Sequence, residues 1–164
     1  MNRINYMAVA EKAMTQIKNG AFLTVKADAQ LNTMTIGWAT VGVVWSKPVM
    51  MVAVRNSRHT FGIMEKAADF TVSFPKEEMN DELTFCGTRS GLTYDKFKEC
   101  GLKPGQAQKT FSPIVQVSGI HFECKIVYKS AMDPAFLDSG YKKLYPKNDY
   151  HTLYFGEILD CYEI

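Results

Sequence analysis

NTMTIGWATVGVVWSKPVMMVAVRNSRHTFGIMEKAADFTVSFP, residues 32–75, contains the strongest signals for the fold of this chain. Thr, Val, Ile and Trp dominate residues 33–45, and these side chains favour extended structure over helix. Apolar runs at 49–54 and 70–74 predict two buried strands, and residues 60–68 between them predict a short helix. Short strands with a short helix between them indicate a mainly β fold with helical additions.

The rest of the chain repeats this pattern of short elements. Outside that stretch, the spacing of apolar residues predicts strands at 21–26, 114–117, 120–128 and 152–161 and helices at 6–18, 76–85 and 94–100. Pro48 predicts a break between strands because it lacks a backbone N–H. Alternation along 120–128 predicts that His121 is exposed. We expect one domain, residues 1–164, folded as a β-barrel with short helices, an α+β arrangement.

Composition and charge exclude several classes of protein. The chain has 19 Lys and Arg against 17 Asp and Glu, a net charge of +2 without a basic cluster, which argues against nucleic-acid binding. No apolar run approaches the roughly 18 residues of a membrane span, and no export signal is recognised. The four cysteines contain no CxxC pair, so we expect free thiols, a cytoplasmic location and no metal site.

A loop rich in arginine and hydroxyl side chains follows the predicted strand 49–54. Arg55, Ser57, Arg58 and Thr60 lie there, at the start of the predicted helix. Guanidinium groups bind phosphate oxygens in pairs, and the first turn of a helix has unpaired N–H groups. We interpret the loop as a phosphate site. The alternative is a solvated loop in which one hydroxyl caps the helix.

Two further segments and one histidine have the residue types of a ligand pocket. Residues 32–38 alternate hydroxyl or small side chains with apolar ones and end in a tryptophan, which suits a planar heterocycle or ordinary core. Residues 86–91, CGTRSG, form a tight loop that either approaches a ligand or is a simple turn. His151 follows Asp149 at the start of the last strand and is a candidate for proton transfer, although a lone histidine is more often structural.

In this order and spacing, residues 32–75, the segment CGTRSGLTYDKF at 86–97 and the segment HTLYFGEI at 151–158 resemble the flavin reductase-like family, which includes flavoredoxins. The resemblance covers most of residues 20–160. It implies an FMN-binding split barrel, usually a homodimer with one flavin per subunit. Relatives that use a nicotinamide have Gly-Asp-His before the last strand. This chain has Asn-Asp-Tyr-His at 148–151, so the resemblance leaves the nicotinamide role of His151 open.

The resemblance also implies which residues contact the cofactor. The flavin ring and ribityl chain would lie along Asn32, Met34, Thr35 and Trp38. The phosphate would contact Arg55, Ser57, Arg58 and Thr60, with Ala53 and Val54 beside it. The pocket would be completed by Cys86, Gly87, Ser90 and Asp95. His151 would be the catalytic residue. The implied function is an FMN-dependent oxidoreductase that takes electrons from NAD(P)H or another donor. The alternatives are an electron-transfer flavoprotein that retains FMN and receives electrons from a protein partner, or a split barrel for another cofactor such as haem. FAD also remains an alternative to FMN.

Overall fold

One antiparallel sheet organises the computed structural model, which describes residues 2–164. Within these residues the strands are β1 (Asn2–Arg3), β2 (Ala21–Ala27), β3 (Gln30–Ile36), β4 (Ala39–Val44), β5 (Lys47–Arg55), β6 (Asp69–Pro75), β7 (Pro104–Gly105), β8 (Ile114–Val115), β9 (Gly119–Ala131) and β10 (His151–Glu163). The α-helices are α1 (Tyr6–Gln16), α2 (His59–Met64), α3 (Asn80–Thr88) and α4 (Lys96–Glu99). The predicted mainly β class with short helices is confirmed.

The sheet curls into a barrel because its two edge strands are consecutive in the chain. The strand order is β3-β2-β6-β9-β10-β5-β4, β1 pairs with β10, and β7 and β8 form a separate pair. Only Gly37 and Trp38 separate β3 from β4. The N–H of Ala53 in β5 donates to the carbonyl oxygen of Trp38 at 3.2 Å, which brings the end of β3 back to β5. The two ends of the sheet therefore meet at this connection.

Strand curvature has a local cause in β10. The register between β9 and β10 shifts after Phe155 and again after Ile158, and such irregularities bend and twist a strand. A Cβ at Gly156 would lie 2.6 Å from both the Phe70 ring and the Cβ of Cys124. Only glycine therefore allows β10 to cross the barrel interior at this point.

Two apolar clusters fill the structure. The larger occupies the barrel and the inner faces of α1 and α2, and it includes Leu23, Val52 and Phe122, all fully buried. The smaller consists of Phe22, Leu83, Cys86, Leu102 and Val115 and lies under α3. Helix α3 is thus anchored by its own core, next to β3.

The ends of the first helix follow the local signals in the sequence. Helix α1 begins at Asn5, whose side chain accepts a hydrogen bond from the N–H of Met7 at 3.0 Å. It continues as a short 3₁₀ turn, Ile17–Asn19, and stops at Gly20, which has a φ of +99°. Among residues 2–164, no helix is long and apolar enough to cross a membrane.

The prediction of a strand break at Pro48 is wrong. Pro48 lies inside β5 and is paired with Val43 of β4. On its other side β10 pairs with β5 only from Val49 onward, so the missing N–H of Pro48 removes no ladder hydrogen bond there. The break between the two predicted strands lies two residues earlier, at the turn of residues 45–46 between β4 and β5. A second break, at residues 37–38, divides the predicted strand 33–45 into β3 and β4.

The prediction of an exposed His121 is also wrong. His121 is fully buried, with Nδ1 at 3.0 Å from the Ser73 hydroxyl and Nε2 at 2.9 Å from the Val117 carbonyl oxygen. Its neighbour on the same face, Glu123, is buried as well and accepts hydrogen bonds from three backbone N–H groups at 108–110. The segment before β9 folds over this face, and these polar side chains anchor it. Alternation alone cannot distinguish a solvated polar face from one that binds a loop.

Candidate functional site

A cavity of about 220 Å³ opens where β3 meets β5, and we call it the Trp38 cavity. Its lining residues come from the end of β3, the connection to β4, the loop after β5 and the start of β10: Met34, Thr35, Ile36, Gly37, Trp38, Ala53, Arg55, Arg58 and His151. The hydrogen bond between the Ala53 N–H and the Trp38 carbonyl oxygen joins two of these lining residues. The residues combine flat rings, apolar side chains and two guanidinium groups around one space.

Trp38 and His151 form one wall of this cavity. Their ring centroids are 4.7 Å apart, and Nδ1 of His151 lies 2.9 Å from the hydroxyl of Tyr145. Burial, reinforced by the positive charge of Arg55, lowers the pKa of His151 to about 4. At neutral pH the imidazole is therefore uncharged, with a single ring proton that it shares or directs through hydrogen bonds.

Arg55 and Ser57 hold the segment before β10 in place. Arg55 donates from Nη1 to the carbonyl oxygen of Asp149 at 2.7 Å and from Nη2 to that of Leu144 at 3.2 Å. The Ser57 hydroxyl donates to Oδ2 of Asp149 at 2.6 Å, and its N–H donates to Oδ1 at 3.1 Å. These bonds place His151 at the cavity and commit much of the donor capacity of both side chains.

A second cavity, of about 120 Å³, adjoins the first through Met34 and Arg58, and we call it the cation cavity. Its lining consists of Asn32, Met34, Ser57, Arg58, His59, Thr60, Thr88, Arg89, Ser90, Gly91 and Lys96. Three of these side chains, Arg58, Arg89 and Lys96, are cationic, and none is a carboxylate. Among residues 2–164, the side chains of Arg58 and Arg89 make no hydrogen bond or ion pair. Such an unbalanced set of cations fits an anion with several oxygens.

Lys96 is the most constrained of these cations. Its side chain is only 4% exposed, and Nζ donates to the carbonyl oxygen of Cys86 at 2.7 Å. Burial lowers the pKa of Lys96, and the nearby charge of Arg58 lowers it further. No carboxylate in the described part of the chain pairs with it. An anion in the cavity would supply the missing counter-charge.

Some hydroxyl groups around the cation cavity accept a hydrogen bond from the protein, and others donate one. Thr60 accepts from Nδ2 of Asn32 at 2.9 Å, and Ser90 accepts from the N–H of Leu92 at 3.2 Å. Each keeps its own hydroxyl proton for another acceptor. Thr88 instead donates to the carbonyl oxygen of Thr84 at 2.7 Å, as Ser57 does to Asp149. Thr60 and Ser90 are thus the hydroxyls with a proton to offer a ligand.

The geometry of this cavity requires glycine at position 91. A Cβ there would collide with the side-chain amide of Asn32, the group that orients Thr60. The N-cap of α2 is Arg58, which makes no side-chain capping bond, so neither Ser57 nor Thr60 is the cap. The loop after β5 therefore presents side chains rather than a capped helix end to the cavity.

Four of the predicted cofactor contacts lie outside both cavities. Val54 is fully buried in the larger core and Cys86 in the smaller one. Gly87 lets α3 approach β3, since a Cβ there would lie 3.3 Å from the Cβ of Thr35. Asp95 caps α4 by accepting from the N–H of Lys98 at 3.2 Å, and it lines a third cavity of about 540 Å³ next to the cation cavity.

Sequence reasoning missed three residues that the structure places at the site: Arg89, Lys96 and Tyr145. Arg89 and Lys96 lie within the motif at 86–97. Lys96 is followed two positions later by Lys98, and this pattern is typical of a helix exposed to solvent. Tyr145 lies in a segment without periodicity, so no sequence signal pointed to it. Among residues 2–164, no group of three or more His, Cys, Asp or Glu side chains comes together as a metal site.

Comparisons with known proteins agree with this architecture. The sequence profile of the flavin reductase like domain matches residues 17–164. An uncharacterized protein of Archaeoglobus fulgidus is 26% identical over 138 residues, covering 84% of this chain and 68% of that protein. A second curated relative, from Pyrococcus abyssi, is matched over 64% of its length.

Three solved structures show the same fold. The flavoredoxin of Desulfovibrio vulgaris superposes with a TM-score of 0.69 at 22% identity, covering 88% of this chain and 69% of that one. An FMN-binding protein from Thermus thermophilus gives 0.68 at 22% identity, with coverage of 88% and 69%. The NADH:FAD oxidoreductase SgcE6 of Streptomyces globisporus gives 0.66 at 15% identity, with coverage of 94% and 83%. The predicted split-barrel fold is confirmed by these likenesses.

Proposed function

Because the chain belongs to the flavin reductase-like domain family, we propose that it binds FMN and works as an FMN-dependent oxidoreductase. The observation that carries this proposal is the position of the cation cavity, which has three cations and no carboxylate. It lies directly beside the Trp38 cavity, which is lined by the planar rings of Trp38 and His151. FMN has the matching parts, a phosphate dianion and a planar ring system. When bound, the flavin supplies the hydride and electron chemistry, and the protein binds and orients it.

Phosphate recognition is assigned to side chains that have unused donors. Arg58, Arg89 and Lys96 provide charge, and Thr60 and Ser90 provide hydroxyl protons. Charge-assisted hydrogen bonds of this kind are about twice as strong as neutral ones. Arg55 and Ser57, expected at the phosphate from the family resemblance, act here by holding Asp149 and thereby the start of β10.

The ring system is assigned to the Trp38 cavity. Met34, Trp38 and Ala53 offer apolar contact, and β3 is an edge strand, so alternate backbone groups point away from the sheet. His151 faces the same space as a neutral imidazole, held by Tyr145. A neutral imidazole can donate one hydrogen bond to a ligand atom, or accept a hydrogen bond from it, without carrying a positive charge into the cavity. We assign His151 this role in the reaction with NAD(P)H.

A second copy of the chain is the partner we propose for an exposed aromatic face. Trp45, Tyr128 and Phe155 contact one another there, with ring centroids 5.6 to 6.3 Å apart. Trp45 is 59% exposed and Tyr128 49%. Aromatic side chains are enriched at protein interfaces, so this face suits a homodimer. Light scattering of the wild type and of Trp45→Glu should give twice the subunit mass for the first only.

We also propose that residues 1–164 act as a single flavin domain in the cytoplasm. One sheet carries the motif segments 32–75 and 151–158, and the third segment, 86–97, lies in α3, α4 and the loop between them, next to β3. The four cysteines are free thiols, as suits a reducing compartment.

The test of the proposed function is the absorbance spectrum of the purified protein, recorded anaerobically before and after adding NADH or NADPH. We expect flavin bands that bleach on addition. Bands that persist would favour an electron-transfer flavoprotein that receives electrons from a protein donor. No flavin bands, and no binding of added FMN or FAD, would refute the proposal. A haem Soret band would point to a different cofactor.

A further inference from the structure

Two thiols lie on either side of the segment that supplies five of the eleven residues lining the cation cavity. Cys86 lies in the last turn of α3, and Cys100 follows α4 as its C-cap. Their sulfur atoms are 4.0 Å apart, although the residues are 14 positions apart in the chain. Cys86 is fully buried, whereas Cys100 is partly exposed to solvent. Arg89, Ser90, Gly91 and Lys96 all belong to the segment between them.

We propose that Cys86 and Cys100 form a reversible disulfide that fixes this segment around the cation cavity. A disulfide bond is about 2.05 Å long, so the two sulfurs must approach each other by about 2 Å. Rotation of the two side chains about their Cα–Cβ bonds moves the sulfurs over distances of this order. The partly exposed Cys100 gives an oxidant access to the pair.

The chemistry with a low-molecular-weight disulfide, such as glutathione disulfide, balances in two exchanges. The Cys100 thiolate attacks one sulfur of glutathione disulfide and releases a glutathione thiolate. The Cys86 thiolate then attacks the Cys100 sulfur of the mixed disulfide and releases the second. Two electrons pass from the protein dithiol to glutathione disulfide, and the two protons lost by the protein thiols are taken up by the two released thiolates.

The surroundings determine how readily this happens. Burial raises the pKa of Cys86 to about 12 and also raises that of Cys100. Little thiolate is therefore present at neutral pH, so the disulfide forms slowly, and the exchange accelerates as the pH rises. Because Cys86 is fully buried and Cys100 is partly exposed, reagents in solution reach Cys100 first.

The disulfide would act on the cofactor through Lys96, a step that rests on the proposed function. Nζ of Lys96 donates to the carbonyl oxygen of Cys86, so the same residue positions the buried ammonium and forms the disulfide. Linking α3 to the end of α4 restricts opening of the segment that covers the cavity. Preorganisation lowers the entropy cost of binding, and we expect FMN to dissociate about 3- to 10-fold more slowly from the oxidised protein.

The experiment compares the wild type with Cys100→Ser, which cannot form the disulfide, and with Cys161→Ala, which removes a buried thiol elsewhere in the fold. Each protein is incubated with glutathione disulfide, denatured and labelled with a maleimide, and its mass is measured. The wild type and Cys161→Ala should lose two reactive thiols, and a cross-linked peptide should contain Cys86 and Cys100. Cys100→Ser should form no intramolecular cross-link.

Two further measurements test whether the disulfide between Cys86 and Cys100 rigidifies the segment at the cation cavity and slows FMN release. Hydrogen exchange of residues 88–96 should be slower after oxidation, and release of bound FMN, followed by its fluorescence, should slow only in proteins that form the disulfide. Unchanged exchange and unchanged release would overturn the coupling, and the absence of a cross-link between Cys86 and Cys100 would overturn the site. If the cross-link forms and exchange slows but FMN does not bind in either state, the proposed function fails while the disulfide stands.

Discussion

Replacing Lys96 by methionine separates the structural role of a buried cation from its role in binding. Methionine keeps most of the apolar stem and removes the ammonium group, which is buried against the Cys86 carbonyl oxygen and paired with no carboxylate in residues 2–164. A hydrogen bond to a charged group contributes about 1.5 to 3 kcal/mol, so the Kd for FMN should rise by roughly 10- to 100-fold. Riboflavin, which lacks the phosphate, should bind both proteins equally.

Folding stability should respond in the opposite direction. Burial lowers the pKa of Lys96 below its usual value, which means that folding disfavours the charged ammonium. As the pH falls from above the usual lysine pKa through the lowered pKa of the folded protein, the unfolded chain takes up a proton before the folded chain does. Stability decreases over that range, so the charged lysine reduces stability at neutral pH. Lys96→Met should unfold at the same denaturant concentration as the wild type or at a higher one.

The matched control is Lys98→Met, which removes an exposed lysine from the same short helix. It should change neither the FMN affinity nor the unfolding midpoint. Titrations of FMN and riboflavin against all three proteins, followed by quenching of flavin fluorescence, measure the effect directly. The reasoning is refuted if Lys96→Met weakens FMN and riboflavin equally, or if it leaves FMN binding unchanged.

Two further substitutions test the burial of His151 and the close approach of the start of β9 to the end of β6. Because the pKa of His151 falls to about 4 in the folded protein, the unfolded chain takes up a proton that the folded one does not as the pH drops from 6.5 towards 4. The wild type should lose about 1 to 3 kcal/mol of stability over that window, and His151→Gln should lose correspondingly less in urea titrations at pH 7 and pH 4.5. Gly119 has a φ of +146°, and a Cβ there would overlap with the carbonyl oxygen of Phe74. Gly119→Ala should cost more than about 2 kcal/mol, whereas Gly42→Ala, with open space around its Cβ, should stay within about 0.5 kcal/mol; equal midpoints for the two would contradict the structure.

The strands were predictable because their signals are local. The final strand was expected at 152–161 and runs from His151 to Glu163, and the helix expected at 6–18 ends at Gly20 as its sequence indicates. Pro48 was misjudged because its effect depends on which neighbour lies on each side of β5, and pairing across the sheet is not encoded near the proline. Strand register is a long-range property, and sequence pattern describes only short-range ones.

The candidate site was predictable in its residue types but not in the direction of its side chains. The loop after β5 was expected to bind phosphate through Arg55, Ser57, Arg58 and Thr60 together. In the structure Arg55 and Ser57 donate hydrogen bonds to the segment at 144–149. Ser57 also lines the cation cavity, together with Arg58 and Thr60, whose side chains do not bind that segment. Asp149, which accepts the hydrogen bonds from Arg55 and Ser57, lies nearly a hundred positions away in the chain. The sequence of the loop alone therefore does not show which of its four side chains bind that segment.

Lys96 is the clearest example of a site residue that the sequence alone did not identify. From the sequence, Lys96 and Lys98 are equivalent members of a short polar helix, yet one is buried and the other exposed. An ammonium buried beside Arg58 without a carboxylate opposes folding, and a chain under selection for stability alone would replace it. Its presence, together with two arginines that have no partner among the described residues, is explained if the cavity is completed by a bound anion. The cost of burying Lys96 is then offset by binding, which is why Lys96→Met should weaken FMN binding and leave the free protein at least as stable as the wild type.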